Sequence, residues 1–354
     1  MTRPVMVGGV QIGGDANISI QSMTNTDTRD IKATVNQIKR LEDAGCEIAR
    51  FSVYDMECAE SIQSIKAMTR IPLVADIHFD YRLAIASINN GIDKIRFNPG
   101  NIGDADRVKK LVKCAKEHCV PIRVGVNGGS LERDLLLKYG RPSPEALVES
   151  TKRHVDLLLG EGFDDIVVSL KASNVIDTVK AYRLMSDVCV FPLHVGVTEA
   201  GFGESAVVKS AIGIGTLLLD GIGDTIRVSI TGDPIDEVKA AKEILRALER
   251  YDKGIEIISC PTCGRCCVDL ESIARQVESE LSGYCTDKTL KVAVMGCAVN
   301  GPGEAREADI GIAFGSDRGV LFKKDEVILN APQREAVDAL ISEARRIAGG
   351  GTWT

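Results

Sequence analysis

The sequence predicts a (β/α)₈ barrel followed by a smaller α/β domain. Over the first 250 residues, eight short runs rich in β-branched residues alternate with amphipathic helical stretches. Strands that alternate with helices pair in parallel, and eight such units close into a barrel. After residue 250 the pattern changes, and two strand-like runs lead into cysteine loops. We therefore expect a substrate-binding barrel over residues 1–250 and a cluster-binding domain over residues 251–354.

Each predicted barrel strand precedes a helical pattern. The predicted strands are residues 18–23, 48–53, 72–77, 94–98, 121–126, 165–170, 192–197 and 225–230. Asp30 is the expected N-cap of a helix that ends at Gly45. Ser143-Pro144-Glu145 supplies a cap, a first-turn proline and an acidic first turn for another helix. The last barrel helix is expected over residues 237–250.

The second domain is predicted to contain one small sheet. Its strands are expected at residues 254–259, 290–295, 308–314 and 319–329, with one helix capped by Asp269 and another over residues 332–348. Both cysteine loops follow strands of this sheet. The sequence Asn300-Gly-Pro-Gly303 strongly favours a turn, and this turn could bring Glu304 back toward the loop of Cys297.

Several barrel strands place a cation inside the barrel. Side chains alternate faces along a strand, so the cations point to the axis while the adjacent Phe and Val residues face the helices. These cations are Arg50, Arg96, Arg123, Lys171 and Arg227, and the polar residues Asn98, Asn127 and Ser229 accompany them. Pairing with inward acids such as Asp76 or Glu199 would suffice for one or two of them. The excess favours an incoming polyanion, most simply two phosphates.

Three other polar residues lie on or just after barrel strands. Glu199 comes after the seventh strand, where a carboxylate can donate a proton to a leaving oxygen or serve as an ion-pair partner. His78 and His194 lack a second histidine at metal-ligand spacing. We interpret both as hydrogen-bonded residues that line the barrel.

The cysteine pattern predicts a metal or iron–sulfur site. Cys260 and Cys263 are separated by two residues, and Cys297 on a second turn supplies a third thiolate. The fourth ligand is another cysteine, an oxygen such as Glu304, or none. A structural zinc site that uses Cys266 or Cys267 remains an alternative, although zinc prefers two closely spaced ligand pairs.

Composition excludes several other classes of function. A net charge of −7 and 4% aromatic residues argue against a nucleic-acid partner. No apolar run is long enough to span a bilayer, and no basic region precedes an apolar core at the start of the sequence. The eleven cysteines do not form a disulfide framework. We therefore expect a cytoplasmic protein.

The sequence closely resembles the bacterial 4-hydroxy-3-methylbut-2-enyl diphosphate synthases of the non-mevalonate isoprenoid pathway, in their two-domain form. The resemblance covers nearly the whole chain. It rests on Gln21-Ser-Met-Thr-Asn-Thr-Asp-Thr-Arg-Asp30, Val74-Ala-Asp-Ile-His-Phe-Asp80, Arg96-Phe-Asn-Pro-Gly100, Cys260-Pro-Thr-Cys263-Gly-Arg265 and Asn300-Gly-Pro-Gly-Glu304.

The resemblance implies a reductase that acts on 2-C-methyl-D-erythritol 2,4-cyclodiphosphate. A reduced flavodoxin or ferredoxin would deliver two electrons singly through a [4Fe-4S] cluster. Cys260, Cys263 and Cys297 would hold the cluster, with Glu304 as a displaceable fourth ligand. The five cations would bind the diphosphate, Asn98, Asn127 and Ser229 would hydrogen-bond beside them, and Glu199 would donate a proton.

The resemblance also implies a head-to-tail homodimer in which the cluster domain of one chain caps the barrel of the other. One departure from the family pattern is the pair Cys266 and Cys267, which follows Cys-Gly-Arg. The alternative function is a redox-silent, phosphate-binding barrel synthase or lyase with a structural zinc tail. A non-enzymatic iron–sulfur sensor would leave the inward arginines without an anion.

Overall fold

The computed structural model divides the chain into two compact units, Met1–Arg250 and Tyr251–Thr354. It describes residues 1–78, 80–97, 105–284, 286, 288–297, 307–324 and 326–349. The first unit begins with a hairpin of two short strands, β1 (Val5–Val7) and β2 (Val10–Ile12). Its buried residues Val7 and Ile12 pack against Ile48 and Val74 of the barrel. Three-residue strands are too short to show alternation, so the hairpin was not predicted.

Eight parallel strands form the barrel of the first unit. They are β3 (Ser19–Met23), β4 (Ile48–Ser52), β5 (Leu73–Asp76), β6 (Lys94–Phe97), β7 (Ile122–Asn127), β8 (Ile166–Lys171), β9 (His194–Val195) and β10 (Thr225–Ile226). Each strand pairs with the next from β3 to β8, and β10 lies between β3 and β9. The Val168 N–H donates to the Pro192 carbonyl at 2.8 Å and joins β8 to the segment before β9. The predicted (β/α)₈ barrel is thus confirmed.

Nine helices cover the described part of the barrel unit. They are α1 (Ile31–Asp43), α2 (Met56–Ala67), α3 (Tyr81–Asn89), α4 (Ala105–Glu117), α5 (Arg133–Tyr139), α6 (Pro144–Gly160), α7 (Val175–Ser186), α8 (Gly203–Leu219) and α9 (Pro234–Ala247). The predicted caps form: Asp30 accepts from the Ala33 N–H at 2.9 Å and Ser143 from the Ala146 N–H at 3.2 Å. Helix α5 is an extra element that the alternation did not predict.

Two predicted barrel strands were too long. The seventh and eighth strands contain only two residues each, β9 and β10, whereas six were expected. Arg227 and Ser229 therefore follow β10 as non-strand residues, although the Arg227 N–H still donates to the Val195 carbonyl at 3.0 Å. The last helix begins at Pro234 under an Asp233 cap, three residues before the predicted start.

The second unit contains a five-stranded mixed sheet. Its strands, in spatial as well as chain order, are β11 (Ile255–Ser259), β12 (Leu290–Met295), β13 (Ile310–Phe314), β14 (Arg318–Lys323) and β15 (Glu326–Pro332). The first three are parallel, and β13, β14 and β15 pair antiparallel. The strand predicted over residues 319–329 is wrong, because β14 and β15 form a hairpin beside Lys324, whose φ is +53°.

Helices α10 (Leu270–Leu281) and α11 (Gln333–Ala348) pack on this sheet. Asp269 caps α10 as predicted, accepting from the Ser272 N–H at 3.2 Å. Val292, Ile312 and Phe314 are fully buried in the core beneath the helices. No described helix of either unit combines the length and apolar character needed to cross a bilayer.

Candidate active site

The inward cations meet in one cavity of about 210 Å³ at the carboxyl ends of the barrel strands, which we call the cation cavity. Its lining residues are Arg50, Asp76, His78, Arg96, Arg123, Asn127, Ser169, Lys171, Thr198, Arg227 and Ser229. All seven described residues of the predicted binding set are therefore brought together. The eighth, Asn98, lies outside the described residues.

Strand register places these cations side by side. Arg96 on β6 is the direct neighbour of Arg123 on β7, and Asn127 is the neighbour of Lys171 on β8. Arg123 is only 1% exposed, and Lys171 is 7% exposed. The alternation of side chains along parallel strands thus builds a concentrated positive charge inside the barrel.

Asp76 holds two of the arginines in place. Its carboxylate lies 3.0 Å from Arg96 Nη1 and 3.8 Å from Arg50 Nε. Burial alone would raise the pKa of Asp76, but the Arg50 and Arg96 guanidinium groups outweigh burial and lower it to about 2. Asp76 is therefore a carboxylate at neutral pH, as expected for one of the inward acids.

Glu237 is a second inward acid, and sequence reasoning missed it. It reaches in from α9, where its Oε1 lies 3.1 Å from Arg227 Nη2. Ser22 Oγ donates to the same carboxylate at 2.8 Å, and the Ile230 N–H donates at 3.2 Å. Glu237 is 4% exposed. Its position beside Val238, in a helix that must pack its apolar face on the barrel, was the available signal.

The described cavity residues carry more positive than negative charge. Five cations line it, while Asp76 and Glu237 are the carboxylates paired with them. Nε and Nη1 of Arg123 are buried and have no hydrogen-bond partner among the residues described. Burial lowers the pKa of Lys171, and the neighbouring Arg227 and Arg123 lower it further. Such a cavity can bind a compact polyanion through charge-assisted hydrogen bonds.

Two glycines make room for these cations. A Cβ atom on Gly125 would lie 2.6 Å from Arg96 Nε, and one on Gly196 would lie 3.0 Å from Lys171 Nζ and 2.4 Å from the Arg227 carbonyl oxygen. All three distances are below van der Waals contact. The guanidinium of Arg96 therefore lies directly over the β7 backbone, where its Nη2 donates to the Gly125 carbonyl at 3.2 Å.

Glu199 lies in a neighbouring cavity of about 580 Å³ and does not line the cation cavity. The two cavities share Asn127 and Thr198. Glu199 is exposed and has a left-handed backbone with φ of +53°, which is uncommon for a residue other than glycine. It lies beside the cation cavity, separated from it by Thr198.

The two histidines differ in their surroundings. His78 lines the cation cavity, whereas His194 lies fully buried inside the barrel. Neither ring nitrogen of His194 has a hydrogen-bond partner among the described residues. The expected hydrogen bond of the His194 ring is thus not found among the described residues, whereas its backbone carbonyl accepts from Tyr182 Oη at 2.5 Å.

In the second unit, neighbouring strands deliver the cysteine loops. Ser259 at the end of β11 is paired with Val294 near the end of β12, so the Cys260 and Cys297 loops start at the same sheet edge. Cys260 Sγ accepts from the Gly296 N–H at 3.3 Å, and Cys297 is 9% exposed. Hydrogen bonds from Arg265 lower the pKa of the Cys263 thiol. Glu304 lies outside the described residues.

The two extra cysteines face different environments. Cys266 packs against the core of the sheet, and its Sγ donates to the Val268 carbonyl at 3.3 Å. Cys267 is exposed, although its backbone N–H donates to the Gly296 carbonyl at 3.0 Å. Within the described ranges, no three His, Cys, Asp or Glu side chains converge in an arrangement that would hold a metal ion.

Comparison with known proteins identifies both units. Residues 2–242 match the GcpE TIM-barrel domain, and residues 256–346 match the GcpE protein C-terminal domain. A Clostridium perfringens protein named 4-hydroxy-3-methylbut-2-en-1-yl diphosphate synthase (flavodoxin) is 56% identical over 340 residues, covering 96% of this chain and 97% of its own. A Geobacter sulfurreducens protein of the same name is 55% identical over 346 residues, covering 98% of each chain.

These matches cover both units at an identity far above the level needed to define a family. Family membership implies an iron–sulfur cofactor in general terms, which agrees with the cysteine loops of the second unit. The chain belongs to the GcpE family of 4-hydroxy-3-methylbut-2-en-1-yl diphosphate synthases.

Proposed function

We propose that this enzyme reduces 2-C-methyl-D-erythritol 2,4-cyclodiphosphate to (E)-4-hydroxy-3-methylbut-2-enyl diphosphate. The observation that carries the proposal is the cation cavity, where five cations face two paired carboxylates among the described residues. A cyclic diphosphate supplies the missing negative charge in a compact form. The names of the relatives denote the same product.

The barrel residues bind and orient the substrate. Arg50, Arg96, Arg123, Lys171 and Arg227 would grip the two phosphates, with Asn98, Asn127 and Ser229 hydrogen-bonding beside them. Two electrons enter, a ring C–O bond breaks, and a hydroxyl leaves as water after it gains a proton. Glu199 would donate that proton from the adjoining cavity. Arg50 and Arg96, which Asp76 holds in place, would fix the position of the phosphates and so align the breaking bond.

We assign the cofactor as a [4Fe-4S] cluster held by Cys260, Cys263 and Cys297, with Glu304 as a displaceable ligand. Thiolates are the ligands that iron–sulfur clusters prefer, so the donor chemistry of these three cysteines fits such a group. Their loops begin at one sheet edge, although the three thiols do not converge on one point in this structure. When bound, the cluster supplies single electrons and a site for the substrate oxygen. The Gly296 N–H donates a hydrogen bond to Cys260 Sγ, and this bond would stabilise the negative charge of the Cys260 thiolate.

A head-to-tail homodimer completes the proposal. An apolar stripe on α8 supports it: Val208, Ile212 and Leu219 are 54%, 55% and 76% exposed at helical spacing, and Ile176 on the adjacent α7 is 68% exposed. Solvent-exposed apolar patches of this kind mark interfaces. Mixing an inactive Cys297→Ser chain with an inactive Arg123→Ala chain should restore part of the activity. In each mixed dimer, the unchanged barrel of the first chain would be capped by the unchanged cluster domain of the second. Complete inactivity of the mixture would contradict domain sharing.

The electron donor is a reduced flavodoxin or ferredoxin, and we place the enzyme in the cytoplasm. The relatives' names specify flavodoxin. The ten cysteines within the described part of the chain are free thiols, which suits a reducing compartment. Turnover rates measured with purified flavodoxin and with purified ferredoxin, at equal reduction potential, would show which donor the enzyme uses.

Anaerobic turnover tests the whole proposal. The reconstituted protein should be brown, contain about four irons per chain, and convert the cyclodiphosphate with an artificial reductant. A colourless protein with stoichiometric zinc and no reductive turnover would instead support the redox-silent synthase or lyase. Reconstituted protein that binds no diphosphate would contradict the role of the cation cavity.

A further inference from the structure

Lys94 is a buried cation that the proposed mechanism does not use. It begins β6 two residues before Arg96, so both side chains face the barrel interior. Lys94 is 0% exposed, and its Nζ has no hydrogen-bond partner within the described part of the chain. It therefore lies inside the barrel, one step along the strand below the wall of the cation cavity.

The barrel interior around Lys94 is polar but poor in acids. Buried atoms of Ser19, Gln21, His194 and Thr225 likewise lack hydrogen-bond partners among the residues described. Strand by strand, the charged and titratable groups inside the barrel are Arg50 on β4, Asp76 on β5 with His78 after it, Arg96 on β6, Arg123 on β7, Lys171 on β8, His194 on β9 and Arg227 after β10, with Glu237 reaching in from α9. From β3, Ser19, Gln21 and Met23 face the interior, and none of them titrates.

The two acids are already engaged by arginines. Asp76 pairs with Arg50 and Arg96, and Glu237 pairs with Arg227. An arginine cannot relieve the remaining repulsion, because its guanidinium stays protonated in proteins. A lysine can, because a buried amine without a counter-ion loses its proton more easily than it bears the cost of desolvation. Burial lowers the pKa of Lys94 strongly, and the nearby Arg123 and Arg50 lower it further.

We propose that Lys94 is a neutral amine in the substrate-free barrel and takes up a proton from solvent when a cyclic diphosphate binds in the cavity above it. The negative charge of the bound phosphates makes the electrostatic potential at Lys94 Nζ favourable for a cation, so the ammonium form of Lys94 becomes the stable one. The proton adds to a lone pair on Nζ, and no covalent bond is made or broken. Lys94 thereby acts as a positioning residue, a counter-ion that strengthens diphosphate binding. This inference rests on the proposed diphosphate-binding function.

Calorimetric titration with 2-C-methyl-D-erythritol 2,4-cyclodiphosphate tests the proposal in the absence of a reductant. Each phosphate of this ligand is joined to carbon by one ester bond and to the other phosphate by an anhydride bond, so its single acidic oxygen is already ionised and has no proton to exchange near neutral pH. Binding enthalpies measured in buffers of different ionisation enthalpy therefore report protons taken up by the protein. We expect net uptake by the wild-type holoenzyme and less uptake by Lys94→Met. The affinity of the wild type should fall as pH rises, and this fall should be shallower in the variant.

Lys39→Met is the matched control, because Lys39 is an exposed residue of α1 and should leave the uptake unchanged. Lys94→Met should also raise the unfolding temperature, since it removes a partnerless buried amine. Lys94→Gln provides a second, polar replacement with the same expected loss of uptake. Tight binding without proton uptake, or equal uptake by wild type and Lys94→Met, would overturn this role while leaving the proposed function intact. A lack of any binding by the wild type would overturn both.

Discussion

Replacing Gly125 by alanine should displace Arg96 without straining the backbone. The φ of Gly125 lies outside the left-handed region, so an alanine can adopt it, but its methyl would lie 2.6 Å from Arg96 Nε. The guanidinium would have to move. It would then lose its bonds to Asp76 at 3.0 Å and to the Gly125 carbonyl at 3.2 Å. Hydrogen bonds to charged groups contribute about 1.5–3 kcal/mol each.

The loss of one such interaction with the substrate corresponds to roughly 10- to 100-fold weaker binding. Titration calorimetry with the cyclodiphosphate measures this directly, and the thermal unfolding curve shows whether the barrel is intact. Gly160→Ala is the control, because Gly160 is exposed at the end of α6 and its added Cβ meets no atom within 4 Å. If Gly125→Ala bound the ligand as tightly as Gly160→Ala, the inferred link between glycine spacing and cation placement would be refuted.

Three further perturbations test other parts of the molecule. Asp76→Asn should lower the free energy of unfolding at pH 7 by about 3 kcal/mol. Its folded pKa of about 2 lies below the unfolded value, so the loss should shrink as pH falls from about 4 to 2, whereas the exposed Asp15→Asn should change little. Cys266→Ser and Cys267→Ser should keep the iron content and activity, and loss of iron in either would contradict the three-cysteine assignment. Ile212→Asp should shift gel-filtration elution toward the monomer, and an unchanged dimer would exclude the α8 stripe as its interface.

The barrel and its cation layer were predictable because both follow from strand periodicity. In parallel strands covered on both faces, the β-branched runs mark the strands, and alternation fixes which residues point inward. Arg96 and Arg123 were placed correctly from that rule alone. Strands β9 and β10 were predicted too long because the β-branched run continues past the last paired residue, through Val197 and Ile230. Composition alone does not show where the ladder stops.

The acid partners were less predictable because they depend on contacts between distant parts of the chain. Glu237 meets Ser22, 215 positions away, and only the packing of α9 on β3 creates that contact. The environments of Cys266 and Cys267 were equally hard to predict, since one of these adjacent loop residues packs against the core and the other is exposed. The roles of Asn98 and Glu304 lie outside the described residues and stay predictions.

The distribution of partners suggests a division of labour among the barrel cations. Arg50, Arg96 and Arg227 are fixed by a carboxylate, so their guanidinium groups are oriented before any ligand arrives. In the described part of the chain, no ion pair joins Arg123 or Lys94 to a carboxylate, and both keep buried nitrogens without hydrogen-bond partners, as does Nε of Arg96. A further inward acid would satisfy them, but it would also cancel the field that attracts a diphosphate. If these cations bind the diphosphate as proposed, the barrel gives up stability for binding at the positions where the ligand itself supplies the missing charge.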